Sequence, residues 1–268
     1  MTFIVKVSGV NGMRKTKGCE KAGNAILKFL NEIYSNEQGV SIDVKNLDLE
    51  EIHLDNSNVK LSNNLIYENS LEMFQEKPKI IFLGGDHSIS FSTTKSFLDY
   101  CNKENKEPCL IIFDAHADLM KPINLEPMDR EWLRKLIEVG FPTENILLVG
   151  VRNMQKEEID FFKKNKIRML SINRIGENLE DACDTIMEFS NGKDLYVSVD
   201  ISVVDPVFAS SVDYPEIGGL SSRELIYIIQ RMNKIKNLRA IDIVGINPEK
   251  DENHKTVKLG AKILSELI

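Results

Sequence analysis

The sequence predicts an α/β sandwich built on a mostly parallel sheet. Short apolar runs alternate with longer segments of helical periodicity along the whole chain, the pattern of stacked strand-helix units. Runs such as Leu110-Ile111-Ile112-Phe113 are apolar at consecutive positions, as expected of strands covered on both faces. No Pro/Gly/Ser-rich linker, composition break or internal repeat divides the 268 residues, so one domain over residues 1–268 is expected.

Taken in order, the expected strands are 3–7, 41–44, 79–83, 109–113, 146–151, 168–170, 195–199 and 240–244. Each is a short apolar run bounded by polar or turn residues. The clearest helix is Ser222–Met232. Ser221 and Glu224 match a capping box at its start. Leu225, Ile228, Ile229 and Met232 then recur at i, i+3, i+4 and i+7, one apolar stripe facing a sheet.

Composition removes several function classes. The chain carries 34 Lys and Arg against 41 Asp and Glu, a formal charge of −7. That balance is wrong for a protein that tracks nucleic-acid phosphates, which needs a basic footprint. The apolar runs fall far short of the ~18 residues of a membrane span. The first residues have neither the charged region nor the long apolar stretch of an export signal. The four cysteines, Cys19, Cys101, Cys109 and Cys183, form no CxxC pair, so buried reduced thiols in a cytoplasmic protein are expected.

In parallel sheets, chemistry collects in loops at the carboxyl ends of the strands. Four segments follow expected strands directly: Gly84-Gly85-Asp86-His87-Ser88, Asp114-Ala115-His116-Ala117-Asp118, Asp200-Ile201-Ser202 and Gly245-Ile246-Asn247. Asp114, His116 and Asp118 alternate at i, i+2, i+4, so an extended strand end projects all three to one side. Taken singly, His87 beside two glycines reads as a turn or core histidine, and Asp114 as a helix N-cap. Together with Asp200 they make three carboxylates and two imidazoles at three strand ends, costly to bury unless paired or bound to a metal. Oxygen and imidazole donors favour Mn²⁺, Zn²⁺ or Fe²⁺ over a thiolate site. A shared carboxylate can bridge two cations ~3.5–4 Å apart, which together activate water. His53 and His254 lie in polar stretches and read as surface residues. Gly84-Gly85 lacks the Lys-Ser/Thr of a phosphate cradle, and no Gly-x-Ser-x-Gly elbow is present.

These motifs resemble those of the ureohydrolase family, which includes arginase, agmatinase and formimidoylglutamase. Gly84-Gly85-Asp86-His87-Ser88 and Asp114-Ala115-His116-Ala117-Asp118 are similar to its first two signatures, and Ser198-Val199-Asp200-Ile201-Ser202 with Asp205-Pro206 to its third. Likeness extends through Gly18-Cys19-Glu20-Lys21, Pro215-Glu216-Ile217-Gly218-Gly219-Leu220 and Asp242-Ile243-Val244-Gly245-Ile246-Asn247-Pro248, nearly the whole chain. The resemblance implies an arginase-like three-layer α/β/α sandwich with a central parallel sheet, a homo-oligomer (trimer or hexamer), and binuclear Mn²⁺ hydrolysis of a guanidino or amidino C–N bond in a small molecule. Residue by residue, it implies that His87 binds one metal and His116 the other, and that Asp114 and Asp200 bridge. Asp118 would ligate the first metal and orient the nucleophile, which makes it the catalytic residue.

The sequence departs from the family pattern in three places. The third signature normally reads Asp-x-Asp, whereas here it is Asp200-Ile201-Ser202, which weakens the metal site beside His116. The usual Glu two residues before Asn-Pro, which pairs with a substrate guanidinium, is Gly245. The His-Gly element that follows the Asp-rich motif is absent, and no histidine occurs between His116 and His254. Two readings follow. One is a metal-dependent hydrolase of linear amidines with an unidentified substrate. The other is a catalytically impaired homologue with a metal-binding, structural or regulatory role.

Overall fold

The computed structural model describes residues 2–12 and 15–268. Eight strands form one sheet: β1 (Phe3–Val7), β2 (Asp48–Ile52), β3 (Ile80–Gly84), β4 (Pro108–Phe113), β5 (Ile146–Val149), β6 (Arg168–Leu170), β7 (Asp194–Asp200) and β8 (Leu238–Val244). Their spatial order is β2-β1-β3-β8-β7-β4-β5-β6, and every pairing is parallel. Parallel pairing demands crossovers, and among the described residues eight helices supply them: α1 (Ala22–Leu30), α2 (Val59–Glu76), α3 (Ile89–Lys103), α4 (Trp132–Glu138), α5 (Lys156–Lys164), α6 (Ile172–Glu177), α7 (Leu179–Phe189) and α8 (Ser222–Met232), while α9 (Lys255–Leu267) follows the last strand.

Alternation along each strand feeds two cores. Ile81, Leu83, Ile111, Phe113, Val197, Val199, Ile241 and Ile243 pack against α1, α7, α8 and α9 on one face. Ile80, Phe82, Leu110, Ile112, Tyr196 and Ala240 pack against α2, α3 and α4 on the other. The result is the expected three-layer α/β/α sandwich. Helix α8 begins at the expected residue, with the capping box between Ser221 and Glu224 formed in both directions.

One expected strand is misplaced. Residues 41–44 are not a strand: Ser41 makes an isolated bridge to Ser35, and Asp43 caps a short 3₁₀ turn at Val44–Asn46. The strand lies at Asp48–Ile52 instead. It is an edge strand paired only with β1, so it has no need of an apolar run. Ile42 and Val44 pack as partly buried loop residues against the core, which is why they mimic a strand in sequence.

The four cysteines are buried and unpaired. Burial pushes the Cys101 and Cys109 thiols up to about 12 and that of Cys183 to about 11, which makes them inert. Among the described residues, no helix is long and apolar enough to cross a membrane.

Candidate metal centre

The four chemistry-bearing segments follow β3, β4, β7 and β8, and these are the four central strands of the sheet, in the order β3-β8-β7-β4. Strand adjacency alone therefore gathers their carboxyl ends. Gly85 lets the β3 loop approach the N-terminal loop closely: a Cβ there would come 2.0 Å from the carbonyl oxygen of Gly9, which instead accepts from the Asp86 amide at 3.1 Å. The Asp86 carboxylate fixes the same junction. It accepts from the Asn11 amide at 2.7 Å, the Thr16 hydroxyl at 2.6 Å and the Ser88 amide at 3.0 Å.

His87 is the hub. Its Nδ1 lies 3.0 Å from Asp114 Oδ2, 2.8 Å from Asp118 Oδ2 and 3.5 Å from Asp200 Oδ2. None of these contacts has hydrogen-bond geometry, so Nδ1 is a buried polar atom without a partner. On the other side of the ring, Nε2 is 2.9 Å from Ser198 Oγ. The Ser198 hydroxyl donates to Asp242 Oδ1 at 2.7 Å. Asp242 also accepts from Ser90 Oγ at 2.7 Å and Tyr196 Oη at 2.9 Å. Because the single Ser198 proton goes to Asp242, its oxygen accepts from Nε2–H, which leaves Nδ1 as the ring atom that faces three carboxylates. Ser198 and Asp242 sit opposite one another in the β7–β8 register. Trp132, the only tryptophan, donates its indole N–H to Asp118 Oδ2 at 2.8 Å, and its ring centroid lies 4.8 Å from that of His87.

The electrostatics express charge frustration. Burial and the charge of Asp114 raise Asp118, and the same two causes push Asp200 up to about 7. Burial opposes protonation of His87, but Asp114 and Asp118 outweigh it and raise its pKa well above the imidazole range. A divalent cation fits this donor set: one imidazole nitrogen and carboxylate oxygens, with the ligand atoms of His87, Asp114 and Asp200 all within 4.8 Å of one another.

The His116 side is built differently. Its Nδ1 lies 3.4 Å from Asp114 Oδ1 and its Nε2 3.4 Å from Glu216 Oε1. The inner carboxylate oxygens there are already engaged by protein. Asp114 Oδ1 accepts from Ser202 Oγ at 2.7 Å and from the His116 amide at 2.9 Å, while Asp200 Oδ1 accepts from the Ser202 amide at 2.7 Å. Ser202 thus consumes lone pairs that a second cation would use.

Gly245 has φ +78°, and a Cβ at that position would lie 2.6 Å from Asp200 Oδ2. The position therefore has no room for a side chain while Asp200 keeps its place. His53 and His254 are exposed and play no part. Sequence reading passed over Trp132, Ser198 and Asp242, and also Asp129, Arg130 and Tyr214, which line the cleft.

The model of the arginase family matches residues 4–268. The chain belongs to the arginase family. The ureohydrolase resemblance read from the motifs is therefore borne out. Among relatives, the agmatinase of Bacillus subtilis (strain 168) is 28% identical over 229 residues, covering 84% of this chain and 75% of that protein. Proclavaminate amidino hydrolase from Streptomyces clavuligerus superposes with a TM-score of 0.87 at 21% identity, covering 99% of this chain and 90% of that one. Formimidoylglutamase from Bacillus subtilis gives 0.87 at 23% identity, over 99% and 85% of the two chains. At these identities the superpositions speak for the arginase-like fold.

Proposed function

We propose that this arginase-family protein is a metal-dependent hydrolase of a linear amidine or guanidine C–N bond in a small molecule. The observation that carries the reading is the convergence of three carboxylate oxygens on Nδ1 of His87. His87, Asp114, Asp118 and Asp200 would hold the principal ion, Mn²⁺ by family resemblance. A cation there would supply the Lewis acidity that makes water a nucleophile near neutral pH. His116, sharing Asp114 and Asp200, would hold a second ion more weakly, because Ser202 replaces a carboxylate and occupies the shared oxygens.

The protein's own groups do the rest. Trp132 and His87 both bear on Asp118 Oδ2, which fixes that carboxylate to orient the attacking water and carry its proton to the leaving amine. The Ser198–Asp242 chain holds the His87 tautomer. The floor of the cleft is small, about 30 Å³, which suits a compact head. Four buried thiols fit a reducing, cytoplasmic setting, and the family resemblance supports one domain assembled as a homo-oligomer, a trimer or hexamer.

The test is release of ammonia or urea from a panel of guanidines and formimidoyl amines by Mn²⁺-loaded protein, with Asp118→Asn as control. Turnover abolished by Asp118→Asn is expected. A panel without any turnover would favour the second reading, a catalytically impaired homologue with a metal-binding or regulatory role, which the closed position of Gly245 and the loss at Ser202 support.

A further inference from the structure

Two of the sequence motifs, Asp205-Pro206 and Pro215–Leu220, contribute no ligand to the candidate metal centre, yet they meet beside His116. The Asp205 carboxylate is spent on backbone: its Oδ2 accepts from the amides of Gly218 at 2.7 Å and Gly219 at 3.3 Å. The Asp205 amide donates to the Leu220 carbonyl at 2.8 Å, and the Leu220 amide donates to that of Val203 at 3.0 Å. Residues 218–220 are thereby strapped to the loop that leaves β7. A Cβ on Gly219 would stand 2.5 Å from the Val203 carbonyl oxygen and 2.6 Å from Arg152 Nη2, so only glycine permits this approach.

Arg152 locks the same segment from its other side. A guanidinium has five N–H donors, and here five backbone carbonyls receive them. Nη2 donates to Glu216 at 2.7 Å and Ser202 at 2.8 Å, Nε to Ile217 at 3.2 Å, and Nη1 to Gly150 at 3.2 Å and Val203 at 3.3 Å. One side chain thus joins the loops after β5 and β7 to residues 216–217. The amides of Arg152 and Asn153 both donate to the Ala115 carbonyl, at 2.9 and 3.2 Å. The splint is therefore anchored to the strand end that carries His116.

The side chain held by all this is Glu216. Its Oε1 accepts from Asn153 Nδ2 and from His116 Nε2–H, the latter at 3.4 Å. An ionised carboxylate can only accept, so Nε2 carries a proton in this contact. Nδ1 is then the ring atom directed at Asp114. Tyr214 packs edge-on against the imidazole, with ring centroids 5.9 Å apart.

We propose that Glu216 is the positioning residue of His116, and that Arg152 holds Glu216 in place. Together they set the ring so that Nδ1, and not Nε2, is offered to the cleft. With Ser202 in place of a carboxylate, the direction of this ring is what defines the His116 side. That consequence for a bound cation rests on the metal-centre reading above, whereas the Glu216–His116 contact stands without it.

The test is solvent exchange of the imidazole N–H protons, followed by NMR on the metal-free full chain with ring-¹⁵N histidine. His116→Ala assigns the His116 signal among the four histidines. A protected Nε2–H is expected in the unmodified protein, with exchange about tenfold faster in Glu216→Ala. Glu216→Gln, whose amide oxygen still accepts, should restore most of the protection. Arg152→Lys keeps the charge but loses the fork, and should speed exchange in the same direction. Thermal melts establish that each variant is folded, and the Glu216 pair decides the matter if Arg152→Lys does not fold. A His116 ring protonated at Nδ1 alone, or a Glu216→Ala variant that melts lower with exchange unchanged, would overturn the inference. Isothermal titration with Mn²⁺ on the unmodified protein keeps the two readings apart. Exchange that responds as expected in a chain that binds no Mn²⁺ would sustain this inference and sink the metal-dependent hydrolase. Unchanged exchange in a chain that binds Mn²⁺ would do the reverse.

Discussion

Trp132 Nε1 donates a 2.8 Å hydrogen bond to Asp118 Oδ2, the same oxygen that stands 2.8 Å from His87 Nδ1. The indole thus sets the direction of a carboxylate that faces the ring nitrogen. Replacing it, by Trp132→Phe, keeps an aromatic ring but leaves that oxygen short of a donor. Mn²⁺ affinity should fall about tenfold, the low end of what such outer partners contribute. Isothermal titration with Mn²⁺ measures this, and unchanged affinity would remove Trp132 from the account. In the unmodified protein its emission should respond to Mn²⁺, since it is the only tryptophan.

The Ser198–Asp242 chain fixes which imidazole nitrogen carries the proton. With Ser198→Ala the Nε2–H loses its acceptor and Asp242 loses one of its donors. Mn²⁺ affinity should drop about 10- to 100-fold, and stability by about 1–3 kcal/mol from unsatisfied buried groups. Metal titration and thermal melts of the same preparations separate the two effects. A stability loss with metal affinity intact would make this chain purely structural.

Ser202 and Gly245 differ in kind. At Ser202 a carboxylate is missing, and Ser202→Asp should raise the metal content from about one toward two ions per chain, since the new side chain supplies a ligand beside His116. At Gly245 the backbone lies in the left-handed region: φ is +78° and an added Cβ meets Asp200. Gly245→Ala should therefore lower metal content by displacing Asp200, and a glutamate there should do no better. Elemental analysis decides both, and full metal occupancy in Gly245→Ala would contradict the packing argument.

Much of this site is legible in the sequence because strand ends declare themselves. Apolar runs followed at once by Asp114, Asp200 and the loop of His87 mark carboxyl ends, and parallel topology brings them together. The edge strand Asp48–Ile52 is not legible, because a strand paired on one side needs no apolar code, whereas the loop residues Ile42 and Val44 supply a false one. The outer partners escape for a related reason. Ser198 and Asp242 look like ordinary polar positions within their strands, and their role exists only through the β7–β8 register. Trp132 and Asp129 sit in the segment 119–132, whose only sequence cue is the absence of a histidine. Gly245 reads as a simple loss until its φ is known.

Outside the cleft, Glu37 ties the loop after α1 to α8 and α9. Arg223 grips it with two hydrogen bonds of 2.7 and 2.8 Å, and Gln230 adds one of 3.0 Å. These partners hold its pKa at about 2, well below the usual glutamate value of 4.5. The folded pKa is depressed, so the unfolded chain binds the proton more readily between pH 4.5 and 2, and stability falls as pH falls through that window. Glu37→Gln should melt lower than the unmodified protein at pH 7, and the gap should close as pH approaches 2. A gap independent of pH would show that the carboxylate charge plays no part.

The central claim is one firmly held cation on His87, Asp114, Asp118 and Asp200, with the His116 side secondary. It is tested most directly by metal content after Mn²⁺ loading and gel filtration, comparing the unmodified protein with His87→Ala and His116→Ala. The account predicts about one ion per chain, lost in His87→Ala and kept in His116→Ala. No retained ion in the unmodified protein, or an ion that survives His87→Ala and departs with His116→Ala, would contradict it.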